Sequence, residues 1–204
     1  MNSNAEMASV LGAVVRRCPW LVDVLDVVRD VGDDFGLSCW VGAGAVRDLL
    51  WDSWYGVGAP RDPAAFDGTA VKDVDVVFFD VDRTDPVLET EIEATLTRRR
   101  SDITWDATNQ ATVHVWYEDR FGVAVAPLTS VTDGVGTWPE TATTVAVAAT
   151  PAGDIEILAP LGLHDLLAGV YRRNPRRVSV DQYQRRIARL NPADRWPDVT
   201  VHPA

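Results

Sequence analysis

Hydrophobic positions recur at steps of three and four residues in several stretches of the chain, and this spacing predicts amphipathic helices. The clearest stretch follows Pro19, where apolar residues continue from Trp20 to Val31 and the helix is expected to end near Gly32. The same spacing predicts further helices at 8–15, 45–54, 87–99, 161–171 and 180–190.

Shorter stretches carry the patterns of β-strands. Residues 74–79 form a continuous β-branched and aromatic run, which predicts a central strand covered on both faces. Apolar and polar residues alternate over 103–108, as in a half-buried strand. Further strands are expected at 37–41 and, as a hairpin, at 143–149 and 155–158, whereas 56–72 gathers Gly, Pro and Asp and predicts a long surface loop.

The order of these elements predicts an α/β (α+β) fold, with a mixed sheet flanked by helices and a helical C-terminal region. Two helices precede the first strand, helices then alternate with strands, and the last stretch is helical and basic. We therefore expect N-terminal helices at 1–36 packed on a sheet domain at 37–160, followed by a basic helical region at 161–204.

Composition and charge narrow the function classes. The chain has 204 residues, of which 47% are hydrophobic and 24% charged, as in soluble globular proteins. The net charge of -11 argues against a surface devoted as a whole to a nucleic-acid backbone, although arginines cluster locally between 172 and 189. That cluster is either an attracting surface for an anionic substrate or a solvated helix face.

Cysteine usage and hydropathy bear on location. Cys18 and Cys39 match neither a disulfide framework nor a zinc or CxxC motif, which favours a reducing compartment. No apolar run reaches the length of a membrane span. We expect a cytoplasmic protein that makes no membrane contact.

The most informative chemistry lies at the start of the predicted central strand. Side chains alternate along a strand, so Asp73 and Asp75 share a face with their alpha carbons about 6.5 to 7 Å apart. Two neighbouring carboxylates repel each other unless a cation lies between them, and Mg²⁺ or Mn²⁺ prefers such oxygen ligands. The alternative is that both acids merely end a strand at a solvated edge, but the run beyond Asp75 is too apolar for an edge strand.

A second feature is the glycine turn between the strand at 37–41 and the helix at 45–54. Gly42 and Gly44 would let the backbone approach a ligand closely, and the free N–H groups that begin the helix favour an anion such as phosphate. Arg47 would add a charge to the same anion. Taken alone, the glycines could simply permit a tight turn.

Together these motifs resemble a known superfamily. VGAGAVRDLL followed by KDVDVVFF resembles the glycine signature and DxD strand of the DNA polymerase β-like nucleotidyltransferases, especially tRNA nucleotidyltransferases and bacterial poly(A) polymerases. WDATNQATVHVWY, TWPETATTVAV and APLGLHDLL resemble a bacterial family of nucleotidyltransferases with undefined substrates. One position departs from the signature, because Ala43 stands where the superfamily has a glycine, and its methyl group is expected to narrow the turn.

The resemblance implies a catalytic domain at 37–160 in which Asp73 and Asp75 hold Mg²⁺ or Mn²⁺. It also implies a nucleoside triphosphate bound through Gly42 and Gly44, with Arg47 and Lys72 bordering the phosphates. The implied reaction transfers a nucleoside monophosphate to an acceptor hydroxyl and releases pyrophosphate.

The superfamily usually has a third carboxylate on a neighbouring strand. We expect Asp106 in this role, as metal ligand or base, with Glu156 as the competitor. Nearby, Asn109 is expected to contact the nucleotide, since amides can read a base edge, although capping of buried backbone is the alternative. Trp138 is either a stacking face for a base or part of the core.

The sequence therefore predicts a metal-dependent nucleotidyltransferase. Its acceptor, which can be RNA, another protein or a small molecule, is expected to approach from the side of the C-terminal helices. Two alternatives remain, namely a non-catalytic nucleotide-binding or protein-interaction module on the same fold, and a phosphohydrolase that uses the same acids.

Overall fold

The computed structural model describes residues 3–203 and is built around a five-stranded mixed sheet. Its strands are β1 (Trp40–Gly42), β2 (Val74–Phe78), β3 (Trp105–Asn109), β4 (Ala146–Ala149) and β5 (Ile155–Leu158). They lie in the order β3-β2-β1-β4-β5. Strands β2 and β3 are parallel and every other pair is antiparallel, which confirms the mixed sheet and the hairpin.

Helices precede, connect and follow the strands of this sheet. They are α1 (Asn4–Arg16), α2 (Pro19–Phe35), α3 (Gly44–Trp54), α4 (Val87–Arg99), α5 (Val113–Phe121), α6 (Val131–Val135), α7 (His164–Leu167), α8 (Val180–Leu190) and α9 (Pro192–Arg195). Strands β6 (Val170–Tyr171) and β7 (Thr200–Val201) form a small parallel pair, and single 3-10 turns occupy Pro63–Ala65 and Thr141–Thr143.

Helix α2 continues one turn beyond its expected end. The chain leaves the helix at Gly36, whose φ of 68° is left-handed, rather than at Gly32. Gly32 is buried inside the helix, where a Cβ would lie 2.7 Å from the carbonyl oxygen of Leu37. Gly32 therefore makes room for the chain that folds back towards β1, and it does not end the helix.

The two faces of the sheet are covered unequally. Val41, Val76 and Phe78 project into the main core, which also takes in the buried faces of α1, α2 and α4. Val77 projects to the other face and packs there with Val135 in a much smaller cluster. Since Asp73 and Asp75 share the side of Val77, the acid pair emerges on the less covered face.

The C-terminal region departs from the expected continuous helix at 161–171. Only one turn, α7, is helical there, and the chain then enters β6. Gly162 and Gly169 have φ angles of 77° and 63°, which a right-handed helix interior does not accommodate. The expected helix at 180–190 is confirmed as α8, which begins with a capping box between Ser179 and Gln182.

No helix within residues 3–203 is both long and apolar enough to cross a lipid bilayer.

Candidate active site

Three carboxylates meet at the start of β2 and β3. Asp75 lies opposite Asp106 in the parallel register of these strands, so both side chains project from the same face. Asp73 immediately precedes β2 on that face, and its carboxylate lies 3.5 Å from the ammonium of the exposed Lys72. The expectation that these acids lie side by side agrees with the geometry.

The glycine turn and the acid pair lie next to each other. Helix α3 begins at Gly44, and the Gly44 backbone amide lies close enough to the Asp75 carboxylate to favour its charged form. Ala43 precedes it with a φ of 46°, a conformation that favours glycine, and its amide donates to the Val145 carbonyl at 3.1 Å. The turn thus places the first backbone amide of α3 beside the Asp75 carboxylate on β2.

Burial dominates the electrostatics of Asp75. Loss of solvent, followed by repulsion from Asp73 and Asp106, raises the pKa of Asp75 to about 7. The Gly44 amide and the positive charge of Arg186 oppose this rise. A carboxylate held at this pKa is stabilised by any additional cation that binds beside it.

Asp73, Asp75, Gly44 and Arg186 line one open cleft of roughly 610 Å³, whereas Asp106 is an exposed residue outside its lining. The walls of this cleft come from the start of α3, the segment before β2, α5, the Trp138-Pro139 turn and the two last helices. Besides the acids and Gly44, its lining contains six basic side chains: Arg47, Lys72, Arg120, Arg186, Arg189 and Arg195. An acidic floor surrounded by arginines is suited to a polyanion that carries a cation.

Arg47 is fixed in the cleft wall by the C-terminal segment. Its guanidinium donates to Asp48 at 2.6 and 2.9 Å and stacks over the Trp196 ring at 5.0 Å. Asp48 is only 4% exposed and also accepts a hydrogen bond from the Arg195 guanidinium at 2.9 Å. Arg195 in turn donates to Asp52 through two of its nitrogens. Asp48 is therefore a buried acid between two arginines that line the cleft.

Gly42 has a different place from the one expected. A Cβ at Gly42 would lie 2.1 Å from the ring of Trp138, so this glycine lets the indole pack directly against β1. Gly44, by contrast, is open, since its Cβ would meet only Arg47 at 3.9 Å. The structure brings Gly44 to the cleft lining and covers Gly42 with Trp138, itself part of that lining.

Asn109 is not brought to the cleft. It is 2% exposed at the end of β3, and its side-chain oxygen accepts from the amides of Asp80 and Ala111. Its side-chain nitrogen donates to the carbonyls of Asp80 and Arg83. Because this amide is saturated by backbone, its position contradicts the expected nucleotide contact and matches the capping alternative.

The two candidates for the third carboxylate are far apart in the sheet. Asp106 neighbours Asp75, whereas Glu156 is on the edge strand β5, separated from β2 by β1 and β4. Within residues 3–203, no three Asp, Glu, His or Cys side chains are arranged to enclose an ion by themselves. Asp73 and Asp75 nevertheless fit Mg²⁺, which is commonly held by one or two carboxylates together with substrate phosphates.

Sequence reasoning missed several cleft residues. Arg120 lies on α5, a helix without clear periodicity, and Arg195 lies on the single turn α9. Neither arginine lies in a sequence motif that points to the site, because only tertiary packing brings each of them to the cleft. Of the arginine cluster at 172–189, Arg186 and Arg189 line the cleft, while Arg172 and Arg176 form ion pairs with Asp165 and Asp133 elsewhere.

A second groove of roughly 440 Å³ adjoins the cleft and shares Arg120, Pro139, Arg186 and Arg189 with it. Tyr117 and Phe121 of α5 give this groove an aromatic wall. The cleft therefore opens sideways between α5 and α8.

The nucleotidyltransferase family matches residues 34–201 of this chain. The chain belongs to the nucleotidyltransferase family. The matched part of this nucleotidyltransferase contains β1 to β7, the acids, the glycine turn and the arginines of the cleft. No curated protein matches the chain.

Solved structures share the fold of this nucleotidyltransferase. An NMR structure described as revealing a CCA-adding enzyme head domain is 26% identical, covers 95% of each chain and has a TM-score of 0.74. The Thermotoga maritima CCA-adding enzyme complexed with tRNA is 16% identical with a TM-score of 0.58, and a CCA-adding enzyme with CTP is 16% identical with a TM-score of 0.57. Each of the latter two is matched over 95% of this chain but only 42% and 41% of its own. The chain therefore spans less than half the length of those two enzymes, with which it shares the fold.

Proposed function

We propose that this nucleotidyltransferase moves a nucleoside monophosphate from a nucleoside triphosphate to an acceptor hydroxyl with the help of Mg²⁺ or Mn²⁺. The observation that carries the proposal is the meeting of Asp73, Asp75 and the Gly44 amide on the floor of a cleft walled by arginines. The sheet domain at 37–160 supplies the floor, and the region at 161–204 supplies one wall.

The basic side chains and the acids contact different parts of the substrate. Arg47, Arg195 and Lys72 surround the place where the triphosphate lies, and their charges offset its repulsion from the acids. Asp73 and Asp75 would hold a divalent ion, which would supply positive charge to offset that of the transferred phosphate and of the pyrophosphate that leaves. Trp138, packed against Gly42 of β1, presents an aromatic surface to the same cleft.

The reaction exchanges one phosphorus–oxygen bond for another. The acceptor oxygen bonds to the α-phosphorus while the bond from that phosphorus to the bridging oxygen breaks, and its electron pair leaves with pyrophosphate. Asp106, which neighbours Asp75, is our candidate for the third acid that helps remove the acceptor proton. Positioning and charge neutralisation do most of the work in such a transfer.

The acceptor is proposed to enter along the groove between α5 and α8. This groove opens from the cleft next to Arg186 and Arg189, on the side of the C-terminal helix α8. We place the chain in the cytoplasm, where the buried, unpaired thiols of Cys18 and Cys39 remain reduced.

The test uses ATP, GTP, CTP and UTP, each labelled at the α-phosphate, with Mg²⁺ and with RNA, protein or a small-molecule extract as acceptor. Transfer yields pyrophosphate and a labelled acceptor, hydrolysis yields labelled monophosphate, and a binding module yields neither. We expect transfer, and we expect the Asp73→Asn/Asp75→Asn variant to abolish it.

A matched control is Asp154→Asn, which changes an exposed acid in the turn between β4 and β5. This control should keep full activity. Activity retained by the double variant, or lost equally by the control, would contradict the assignment of the acids.

A further inference from the structure

Glu140 is a completely buried carboxylate next to the cleft. It is 0% exposed, and its oxygens accept from the Tyr171 hydroxyl at 2.9 Å and the Thr143 hydroxyl at 3.1 Å. The remaining partner is Arg186 of α8, whose Nε and Nη2 both face the carboxylate. Glu140 thus ties α8 to the Trp138-Pro139 turn on the sheet.

Arg186 also lies close to Asp73 and Asp75 in the cleft. Arg186 lines the cleft together with Asp73 and Asp75, and its charge lowers the pKa of Asp75 against the effect of burial. Glu140 occupies Nε and Nη2 and the Tyr171 hydroxyl also lies beside the guanidinium, while Nη1 makes no hydrogen bond within residues 3–203. One arm of the guanidinium therefore remains for a ligand in the cleft.

The stability of the fold does not by itself require this buried ion pair. A buried carboxylate loses its hydration, and apolar residues of similar volume often replace a buried pair at no loss of stability. Glu140, however, holds two nitrogens of the Arg186 guanidinium, which fixes the orientation of a long and otherwise flexible side chain. A donor oriented beforehand acts most strongly where negative charge develops during a reaction.

We propose that Glu140 is a positioning residue that holds Arg186 with its free Nη1 directed at the phosphate being transferred. This inference rests on the proposed function. Arg186 offsets charge on the non-bridging oxygens as the bond to pyrophosphate breaks, so the orientation supplied by Glu140 lowers the barrier of the transfer more than it tightens substrate binding.

The test compares Glu140→Gln with Tyr171→Phe, which removes the Tyr171 hydroxyl from the same carboxylate and from the neighbouring Arg186 but leaves the two-nitrogen ion pair between Glu140 and Arg186. Pyrophosphate release is measured with the nucleoside triphosphate that the wild-type chain uses best. We expect Glu140→Gln to lower kcat by about tenfold while KM changes by less than about threefold, and Tyr171→Phe to keep kcat within about twofold.

A double-mutant cycle shows whether Glu140 acts through Arg186. Because Lys cannot make the bidentate contact, Arg186→Lys alone should already lose the benefit, and adding Glu140→Gln should lower kcat no further. Independent, multiplying losses would overturn the proposal, as would equal kcat values for Glu140→Gln and Tyr171→Phe.

Folding and function are controlled separately. If circular dichroism shows that Glu140→Gln is unfolded, Glu140→Asp carries the same test, since it keeps the charge but withdraws the carboxylate from Arg186. A wild-type chain that releases no pyrophosphate from any of the four nucleotides overturns the proposed function and this inference together, whereas an active wild type with unaffected Glu140 variants overturns only the inference.

Discussion

Asp75 is the residue at which the two sequence motifs of this chain come together. Its carboxylate lies beside the first amide of α3, faces Asp73 and Asp106, and is within the field of Arg186. The glycine motif, expected to bind phosphate on its own, therefore first holds an acid in place. Ala43 takes the strained backbone angle of this turn, and its methyl group does not prevent the turn from forming.

The two glycines of the turn should respond differently to a methyl group. Gly42→Ala places its Cβ against the Trp138 ring and should destabilise the fold by about 1–3 kcal/mol, because the indole has to move. Gly44→Ala meets only the flexible end of Arg47 and should leave stability unchanged within about 0.5 kcal/mol. Urea unfolding of both variants checks this, and equal losses would show that Trp138 does not rest on Gly42.

Among the elements, those with strong local patterns were predictable. Helices α1 to α4 and α8, strand β2 and the β4–β5 hairpin follow from periodicity and turn residues, and the acid pair follows from alternation along β2. Helix α5 could not be found this way, since Val113 is its one buried residue and the helix has no continuous apolar stripe. The helix expected at 161–171 was wrong because two glycines with positive φ interrupt it.

The candidate site shows the same division. The sequence predicts Asp73, Asp75 and Gly44 as site residues because their chemistry is local to one strand or one turn, and the structure brings the three to one cleft, while their roles stay a prediction. Asn109 was misjudged since its saturation by Asp80 and Arg83 depends on a loop that returns to the end of β3. Arg195 was missed because a single helical turn far along the chain carries no pattern that points to Asp48.

Helix α9 makes a testable contribution through Arg195. Arg195→Met leaves the buried Asp48 with Arg47 alone and should destabilise the fold by about 2–3 kcal/mol. Arg99→Met is the matched control, since Arg99 has a similar exposure, 38% against 32%, but pairs with half-exposed acids. Its loss should stay within about 1 kcal/mol in thermal or urea unfolding. Similar losses in both variants would mean that the Asp48 contact is no stronger than a surface ion pair.

At the scale of the whole molecule, net charge conceals a strong asymmetry. The chain carries a charge of -11, yet arginines from α3, α5, α8 and α9 converge on one cleft. The lining of this cleft carries six basic side chains against the carboxylates of Asp48, Asp73 and Asp75, so its local charge is positive where that of the chain as a whole is negative. A local positive excess favours an anionic ligand at the cleft over the rest of the surface.

The stability of the whole fold should depend on pH and on divalent ions through Asp75. The pKa of Asp75 is raised from its ordinary value of 3.8 to about 7 in the folded chain. Between these two values the folded state keeps a proton that the unfolded state has lost. The free energy of unfolding therefore falls as pH rises from about 4 through 7. Mn²⁺ binds the ionised form, so it should raise Tm more at about pH 8 than at about pH 6.

Asp75→Asn is the control for this dependence. The variant should be more stable than the wild type at about pH 8 without metal and should lose most of the Mn²⁺ effect. Thermal unfolding with EDTA or Mn²⁺ measures both. A Mn²⁺ effect that is unchanged in the variant would place the ion elsewhere.

The contact between Asp48 and Arg195 joins segments that leave the ribosome at very different times. Asp73, Asp75 and Asp106 are all synthesised long before Arg186, Arg195 and Trp196. A growing chain therefore holds Asp48 with Arg47 as its partner before Arg195 can pair with it, and the cleft lacks Arg186, Arg189 and Arg195 until the last helices have been made. The wall of the cleft is complete only once α9 has folded onto α3.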